Sequence, residues 1–509
     1  MSKQQQKVEF GDWQTPSPLA EQVCAVLRKR GLNPASIVEP TCGIGAFVMA
    51  GLDTFKDVEK VVAVEIEEIY ATVLEQSIRV RNEQHRVCVR NEDFFNVDWH
   101  NVIDSLPQPV LLLGNPPWVT NSVIGAMAGK NLPKKSNFQG MSGFDAVTGK
   151  SNFDISEWML ICLTKAMVGI DGSFAMLCKS SVARKVLKYI WKNDIGVSAA
   201  EIRKIDAKQH FDASVDACLF FCAFSKEIRS MLECPVYPTL ISTTADTVIG
   251  YDSDMLIADM KCYERQKHLL TNDVTEWRSG VKHDASKVME FRKESKEYRN
   301  GLGELCALED EFIYPLLKSS DVASNRPATR YVLVTQKTPS DETCSIAHRA
   351  PKTWDYLTAH AEMLDTRGSI VYRKRPRFAV FGIGDYAFSP YKVAVSGFYG
   401  GLKFRVIEPI NDKPVMVDDT VYFLPFDTQD EAEQMADALN SAPIQEFLRA
   451  FVFADAKRPI TIELLKRLDI SPWRRNTYKP KVMKRKRKSA IATNGMNEPN
   501  LFDTELQEV

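Results

Sequence analysis

Val110-Leu111-Leu112-Leu113-Gly114-Asn115-Pro116-Pro117-Trp118 is the stretch from which the rest of the 509-residue chain can be read. An apolar run of strand length ends in a glycine, then in a stiff polar turn closed by an aromatic ring. Consecutive prolines fix φ at Pro116 and Pro117 and bias Asn115 toward extended backbone. The Asn115 side-chain oxygen and the Pro116 carbonyl then form a preorganised pair of acceptors. Such a pair suits transfer of a methyl group to an exocyclic amino nitrogen on a planar ring. That nitrogen is a poor nucleophile because its lone pair is delocalised. Two acceptors on its two hydrogens favour the tetrahedral form and free the lone pair, and Trp118 would stack on the ring. Read by itself, the same stretch is also a proline-rich turn leaving a buried strand.

Composition bounds what surrounds this turn. Lys+Arg (65) and Asp+Glu (66) nearly cancel, so any basic, nucleic-acid-facing surface must be local. At 44% hydrophobic the chain can fill two or three cores. No apolar run reaches membrane-spanning length, and Met1 to Gln6 is polar with no signal-peptide core, so no membrane partner and a cytoplasmic, nucleoid-associated location are expected. The 11 cysteines form no CxxC pair and only 7 histidines accompany them. A zinc cage or disulfide framework is not expected, nor is any metal. There is no internal repeat.

Three stretches upstream end in acids. Thr15-Pro16-Ser17-Pro18 reads as a helix start, with Ser17 as N-cap and Pro18 at the first helical position, followed by Leu19, Val23 and Leu27 on one face. Ile37-Val38 runs into Glu39-Pro40-Thr41-Cys42-Gly43-Ile44-Gly45-Ala46-Phe47, a strand, glycine turn and helix of nucleotide-binding type. The spacing is not GxGxxG, and Glu39 would repel a phosphate but suits a cation; S-adenosyl-L-methionine is positively charged and carries no phosphate. Val61 to Glu65 is a second strand ending in an acid, at the place where a carboxylate commonly meets ribose hydroxyls. Arg86 to Val89 precedes Asn91-Glu92-Asp93-Phe94, where Asp93 could accept from an adenine amino group and Phe94 pack on a ring. In a parallel sheet these ends and Asn115 share one carboxyl edge, where ligands bind.

The ordered set Thr15-Pro16, Glu39 to Phe47, Val64-Glu65-Ile66, Glu92-Asp93-Phe94-Phe95 and Asn115 to Trp118 resembles the amino-directed DNA methyltransferases, above all the adenine-N6 enzymes of the gamma class. The motif resemblance runs from about residue 11 to 225 and is topological beyond. It implies an α/β fold: a doubly wound class I S-adenosylmethionine-dependent methyltransferase sheet with a C-terminal mixed α+β target-recognition domain. By similarity, cofactor contacts fall at Thr15, Glu39, Pro40, Thr41, Gly43, Gly45, Glu65, Ile66, Asp93, Phe94 and Asn115. Catalytic, base-contacting positions are Asn115, Pro116, Pro117 and Trp118, the last departing from the commoner tyrosine or phenylalanine. Phe211, in the turn His210-Phe211-Asp212, matches the family position of an aromatic that stacks on the flipped base with Trp118. Ordinary core is the plain alternative for Phe211.

Residues 119 to 152 are long, polar and lysine-bearing, and either fold over the extruded base or form a surface loop. Asp154 to Glu157 starts a helix that is apolar almost all round, Ser173 to Leu177 is a strand, and Glu201 to Asp206 with Val215 to Phe224 reads as a final strand pair. The pattern loosens after Lys226. The expected division is a catalytic domain over 1–240, a DNA target-recognition domain over 241–475, and a basic then acidic tail over 476–509 too poor in apolar residues to fold alone. Lys282, Arg373, Lys374, Arg375 and Arg377 are the candidate DNA contacts, with Tyr391-Lys392 and Lys403-Phe404-Arg405 continuing the theme. Each could instead be a solvated face.

The expectation is an S-adenosyl-L-methionine-dependent, site-specific adenine-N6 methyltransferase of double-stranded DNA, placed by resemblance in restriction-modification or phage defence. No nuclease motif is read in the chain, so cleavage would fall to a separate cognate restriction endonuclease; the oligomeric state stays open, a monomer being the simpler case. The rivals are a cytosine-N4 methyltransferase, an RNA or protein amino-methyltransferase, and a catalytically silent DNA-binding subunit.

Overall fold

A computed structural model describes residues 14–119, 154–225, 231–271, 275–372, 375–453, 455–456 and 458–474. The chain divides into two compact units at Met260/Lys261. In the first, α1 (Ser17–Lys29) opens the fold because Leu19, Ala20, Val23, Cys24 and Leu27 recur at helical spacing and are all buried. The helix begins one residue earlier than the Ser-Pro pattern suggests: Pro16 is the N-cap, in extended backbone, and Ser17 is the first helical residue.

The strands that follow are β1 (Ser36–Glu39), β2 (Lys60–Glu65), β3 (Val87–Asn91), β4 (Val110–Gly114), β5 (Gly172–Lys179), β6 (Val197–Ile205), β7 (Ala217–Phe224), β8 (Glu233–Tyr237), β9 (Thr247–Asp252) and β10 (Met255–Ile257). Between them lie α2 (Ala46–Thr54), α3 (Glu68–Val80), α4 (Trp99–Asp104), α5 (Ile155–Ala166), α6 (Ser180–Lys192) and α7 (Ala207–Phe211). All ten strands form one sheet in the order β10-β9-β8-β6-β7-β5-β4-β1-β2-β3. From β3 to β5 every pairing is parallel, and β7 then runs antiparallel between β5 and β6. This is the doubly wound sheet expected from the sequence, with an antiparallel strand inserted beyond the parallel set. Leu111 and Leu113 of β4 face one core, with α1, α2 and the inner side of α3, while α6 covers β5, β6 and β7. All five β4 residues are buried, as a strand covered on both faces must be.

The expected final strand pair is not the end of the sheet. β8 pairs parallel with β6, and β9 and β10 extend it further, so the first unit runs past residue 240 to Met260. The second unit is mixed α+β. Strands Arg278–Ser279, Val421–Phe426, Tyr391–Ser396 and Arg405–Ile407 lie side by side in one sheet, and six further strands between Glu290 and Val417 form another. Towards its C-terminal end lie two helices, Gln429–Leu439 and Ala442–Arg449, parted just before Pro443. Among the described residues no helix is long and apolar enough to cross a membrane. The polar segment over 120–152, Arg373, Lys374 and the tail from residue 475 lie outside the described residues.

Candidate active site

Because β4, β1, β2 and β3 are neighbours and parallel, their carboxyl ends form one edge. Glu39 closes β1, Glu65 closes β2 and Asn115 follows β4; Asp93 lies two residues beyond the end of β3. A Cβ on Gly114 would lie 3.5 Å from Pro40 Cδ and 3.6 Å from Glu39 Cγ, so the β1 and β4 ends meet closely.

The glycine turn after β1 is held by acids rather than aimed at one. Glu65 accepts from the Gly43 N–H at 2.7 Å through one oxygen and from the Glu67 N–H at 2.9 Å through the other. Glu39 is 2% exposed and accepts from the Val48 N–H at 3.0 Å, in the first turn of α2. Gly45 caps that helix with φ 88°, a conformation that costs an L side chain about 1–2 kcal/mol. Burial pushes the Glu39 carboxyl well above the usual carboxylate range, with Glu65 adding to the push and the Val48 N–H opposing it. Burial also raises Glu65, against the N–H bonds it accepts. Cys42 beside them is held in the thiol form, its ionisation suppressed first by burial and then by the two acids.

On β4 the turn is pinned from several directions. The Asn115 amide nitrogen donates to Thr15 Oγ1 at 3.2 Å, and the Thr41 hydroxyl donates to the Asn115 carbonyl at 3.5 Å. Pro116 is buried and Pro117 half-buried. Trp118 Nε1 donates to the Leu177 carbonyl at 3.3 Å, tying the turn to β5. Beyond it, the Ile155 N–H donates to the Val119 carbonyl at 2.9 Å.

Trp118 and Phe211 are brought together, but not as two walls of a slot. Their rings meet edge to face, centroids 5.1 Å apart at 68°, and they are 7% and 5% exposed. A base would stack on an outer face or part the pair. Asp93 accepts from the Phe95 N–H at 3.0 Å as the cap of a short 3-10 turn, and Phe94 packs on Phe95 and Trp99. Ile66, after Glu65, is exposed at the same edge, its carbonyl held by Asn91 Nδ2 at 3.0 Å. Among the described residues no cluster of His, Cys, Asp and Glu could hold a metal ion.

In the second unit the cationic candidates separate. Arg377 is exposed, but its guanidinium is paired with Asp365 at 2.6 Å. Arg375 lies over the Phe381 ring at 5.6 Å, and Lys282 Nζ stands 3.9 Å from Asp284. Lys392 is not a surface contact: it is 1% exposed, donates to the Ser389 carbonyl at 2.8 Å, and burial lowers its pKa to about 7. Arg405 is likewise spent inside the fold, its guanidinium donating to the Asp321 and Arg326 carbonyls. Lys403 is exposed.

Comparison with known proteins decides the family. The chain is 44% identical over 467 residues, 91% of its own length and 97% of the other's, to the type II methyltransferase M.NspV of Nostoc sp. (strain ATCC 29411 / PCC 7524). The chain belongs to the type II methyltransferases. A second member, M.XamI of Xanthomonas campestris pv. amaranthicola, is 31% identical over 111 residues, 22% of this chain and 20% of that one. No family model matches. Among solved structures, the type IIL restriction-modification enzyme MmeI in complex with DNA superposes with a TM-score of 0.50 at 12% identity, covering 90% of this chain and 65% of that one. At that identity the likeness is one of fold. This type II methyltransferase thus shares with that structure the α/β fold described above.

Proposed function

We propose that this chain transfers a methyl group from S-adenosyl-L-methionine to the N6 amino group of an adenine flipped out of double-stranded DNA. The observation that carries this reading is the placement of Asn115: it follows β4, next to the β1 end that bears Glu39, with its amide nitrogen turned onto Thr15. The carboxamide oxygen and the Pro116 carbonyl then serve as the two acceptors for the amino hydrogens, and their rigidity spares reorganisation during reaction. The residues fit the cofactor's chemistry. Two buried carboxylates and no phosphate-binding glycine pattern suit a cation, Glu65 has carboxylate lone pairs left for ribose hydroxyls, and exposed Ile66 offers an apolar face for a purine. S-adenosyl-L-methionine, when bound, supplies a methyl group activated by its sulfonium.

The chain's own part is positional. Glu39 and Glu65 fix the glycine turn, Thr15 and Thr41 fix Asn115, and Asn115 with Pro116 orients the amine. No side chain need form a covalent bond. Stacking on an aromatic face is worth about 1–3 kcal/mol per base, against a cost of a few kcal/mol for extrusion. Trp118 and Phe211 are the rings that supply it. The second unit reads the target, with Lys282 and Arg375 as backbone contacts and cleavage left to a separate endonuclease. The test is Asn115→Ala, assayed by calorimetry for cofactor and by mass spectrometry of nucleosides from duplex substrate. Cofactor binding with no methylated adenine is expected. Full turnover by the variant, or methyl on cytosine in the unmodified enzyme, would refute the reading.

A further inference from the structure

A half-buried lysine stands at the carboxyl edge, on the ring side of Asn115. β5 is the parallel neighbour of β4 and so ends at that edge too; Lys179 is its last residue, with the backbone still extended at φ −63° and ψ 140°. Alternation along an extended strand puts Lys179 on the face of Ala175 and Leu177. Those two residues and Ala217, which lies opposite Lys179 on β7, share one core with Trp118 and Phe211. The Leu177 carbonyl, two residues back, accepts from Trp118. Lys179 thus ends a row of side chains that belongs to the core of both rings.

The lysine's ammonium is placed by an acid. Lys179 Nζ donates to Asp154 Oδ2 at 2.6 Å, and the other Asp154 oxygen accepts from the Ser156 N–H at 3.1 Å and from the Ser156 hydroxyl at 2.5 Å. Asp154 directly precedes Ile155, whose N–H is bound to the Val119 carbonyl next to Trp118. The acid's side chain is 8% exposed and the lysine's 22%, so the pair opens to solvent through the amine. An ammonium has three N–H donors; Asp154 is its partner among the described residues, which leaves two for a ligand.

We infer that Lys179 binds the backbone phosphate of the extruded nucleotide, its amine held in place by Asp154. The phosphate is a better ligand for it than the base. As methyl transfer proceeds the target nitrogen gains positive charge, so a cation donating to the ring would oppose the reaction, whereas a compact point charge suits a phosphate oxygen. Because the amine is fixed before DNA arrives, little side-chain freedom is lost on binding. Lys179 belongs to the catalytic unit, unlike Lys282 and Arg375, and the inference rests on the base-flipping reading.

The experiment uses the full chain and duplex DNA carrying the modified sequence, with 2-aminopurine at the methylated position to report unstacking by its fluorescence. Lys179→Met removes the charge and keeps the stem. Asp154→Asn removes the opposing charge and keeps an acceptor for the amine. Loss of one phosphate contact should make the slope of log K against log salt shallower by about 0.9 in the Met variant. The parent's advantage in affinity should then shrink about 3.5-fold between about 50 and about 200 mM salt, and the 2-aminopurine signal at saturating protein should fall. Asp154→Asn should bind the duplex at least as tightly as the parent. A Met variant with the parent's slope overturns the inference. So does a changed slope with an undiminished signal, which would put the phosphate elsewhere in the duplex. Equal losses in both variants would mark the pair as merely structural and overturn it as well. The parent judges the underlying reading separately: no rise in its own fluorescence would sink base flipping, and methyl on cytosine would sink the adenine target, while the salt slopes still judge the phosphate contact.

Discussion

Gly45→Ala tests how the glycine turn is built. At φ 88° the substituted residue pays left-handed strain of about 1–2 kcal/mol. Its Cβ would also lie 2.3 Å from Leu74 Cδ1 and 3.1 Å from Leu74 Cγ, and Leu74 is fully buried, so it can move only by disturbing the core. Overpacking of that kind costs about 1–3 kcal/mol more, for a sum near 2–5 kcal/mol. At about 2–4 °C per kcal/mol for a unit of this size, melting should fall by roughly 4–20 °C. Gly31→Ala is the internal control: its φ is 96°, yet no atom lies within 4 Å of the added Cβ, so only the strain applies. Thermal melts followed by circular dichroism compare the two, and calorimetry adds cofactor affinity. Affinity should drop for Gly45→Ala alone, because the Gly45 N–H bonds the Cys42 carbonyl in the turn whose Gly43 N–H engages Glu65. Equal melting shifts for the two variants would refute the claim that the turn is packed against Leu74.

The remaining predictions concern charge. Glu39 and Glu65 are both raised, chiefly by burial, so the free protein holds their protons longer than the unfolded chain does. Its stability therefore falls as pH rises from the unfolded carboxylate value through the raised folded ones. A cationic cofactor favours the ionised forms, so its affinity should rise with pH over that window and binding should release protons; calorimetry in two buffers of different ionisation heat would show it, and identical heats would contradict it. Lys392 carries the opposite sign. With its pKa lowered to about 7, the folded state binds fewer protons than the unfolded chain between there and the ordinary lysine range. Stability from this group therefore rises with pH by up to about 1.4 kcal/mol per unit. Lys392→Met should stabilise the protein at pH 6 and lack that slope in denaturant titrations. An unchanged slope would mean that Lys392 is not buried as a neutral amine.

The shared carboxyl edge was legible because each contributing strand announces its end. Apolar runs stop at Glu39, Glu65 and Gly114-Asn115, and a carboxyl-edge site needs only that the strands be parallel and adjacent. What stayed hidden was settled by partners far along the chain. The Thr15–Asn115 bond spans 100 residues, and no local pattern announces it. β8 and β9 are short and only half buried, so no sustained apolar pattern marks them after Lys226, although each is paired on both sides. Arg377 looked available because its partner Asp365 comes from a separate helix, Ala361–Asp365. Lys392 alternates with apolar neighbours as a surface strand would. Its strand nevertheless lies between Val421–Phe426 and Arg405–Ile407, and its amine ends on a carbonyl within the fold.

The order of the strands also sets a timetable. β1, β2 and β3 leave the ribosome as a contiguous parallel trio, but β4 must then return to the far side of β1 before that flank is covered. A polypeptide stalled short of Val110 therefore carries a bare ladder of amides and carbonyls along β1, the kind of surface that recruits stray strands. The insertion of β4 that shields this ladder is the same event that delivers Asn115, and it moves the bare flank outward to β4 until β5 pairs with it.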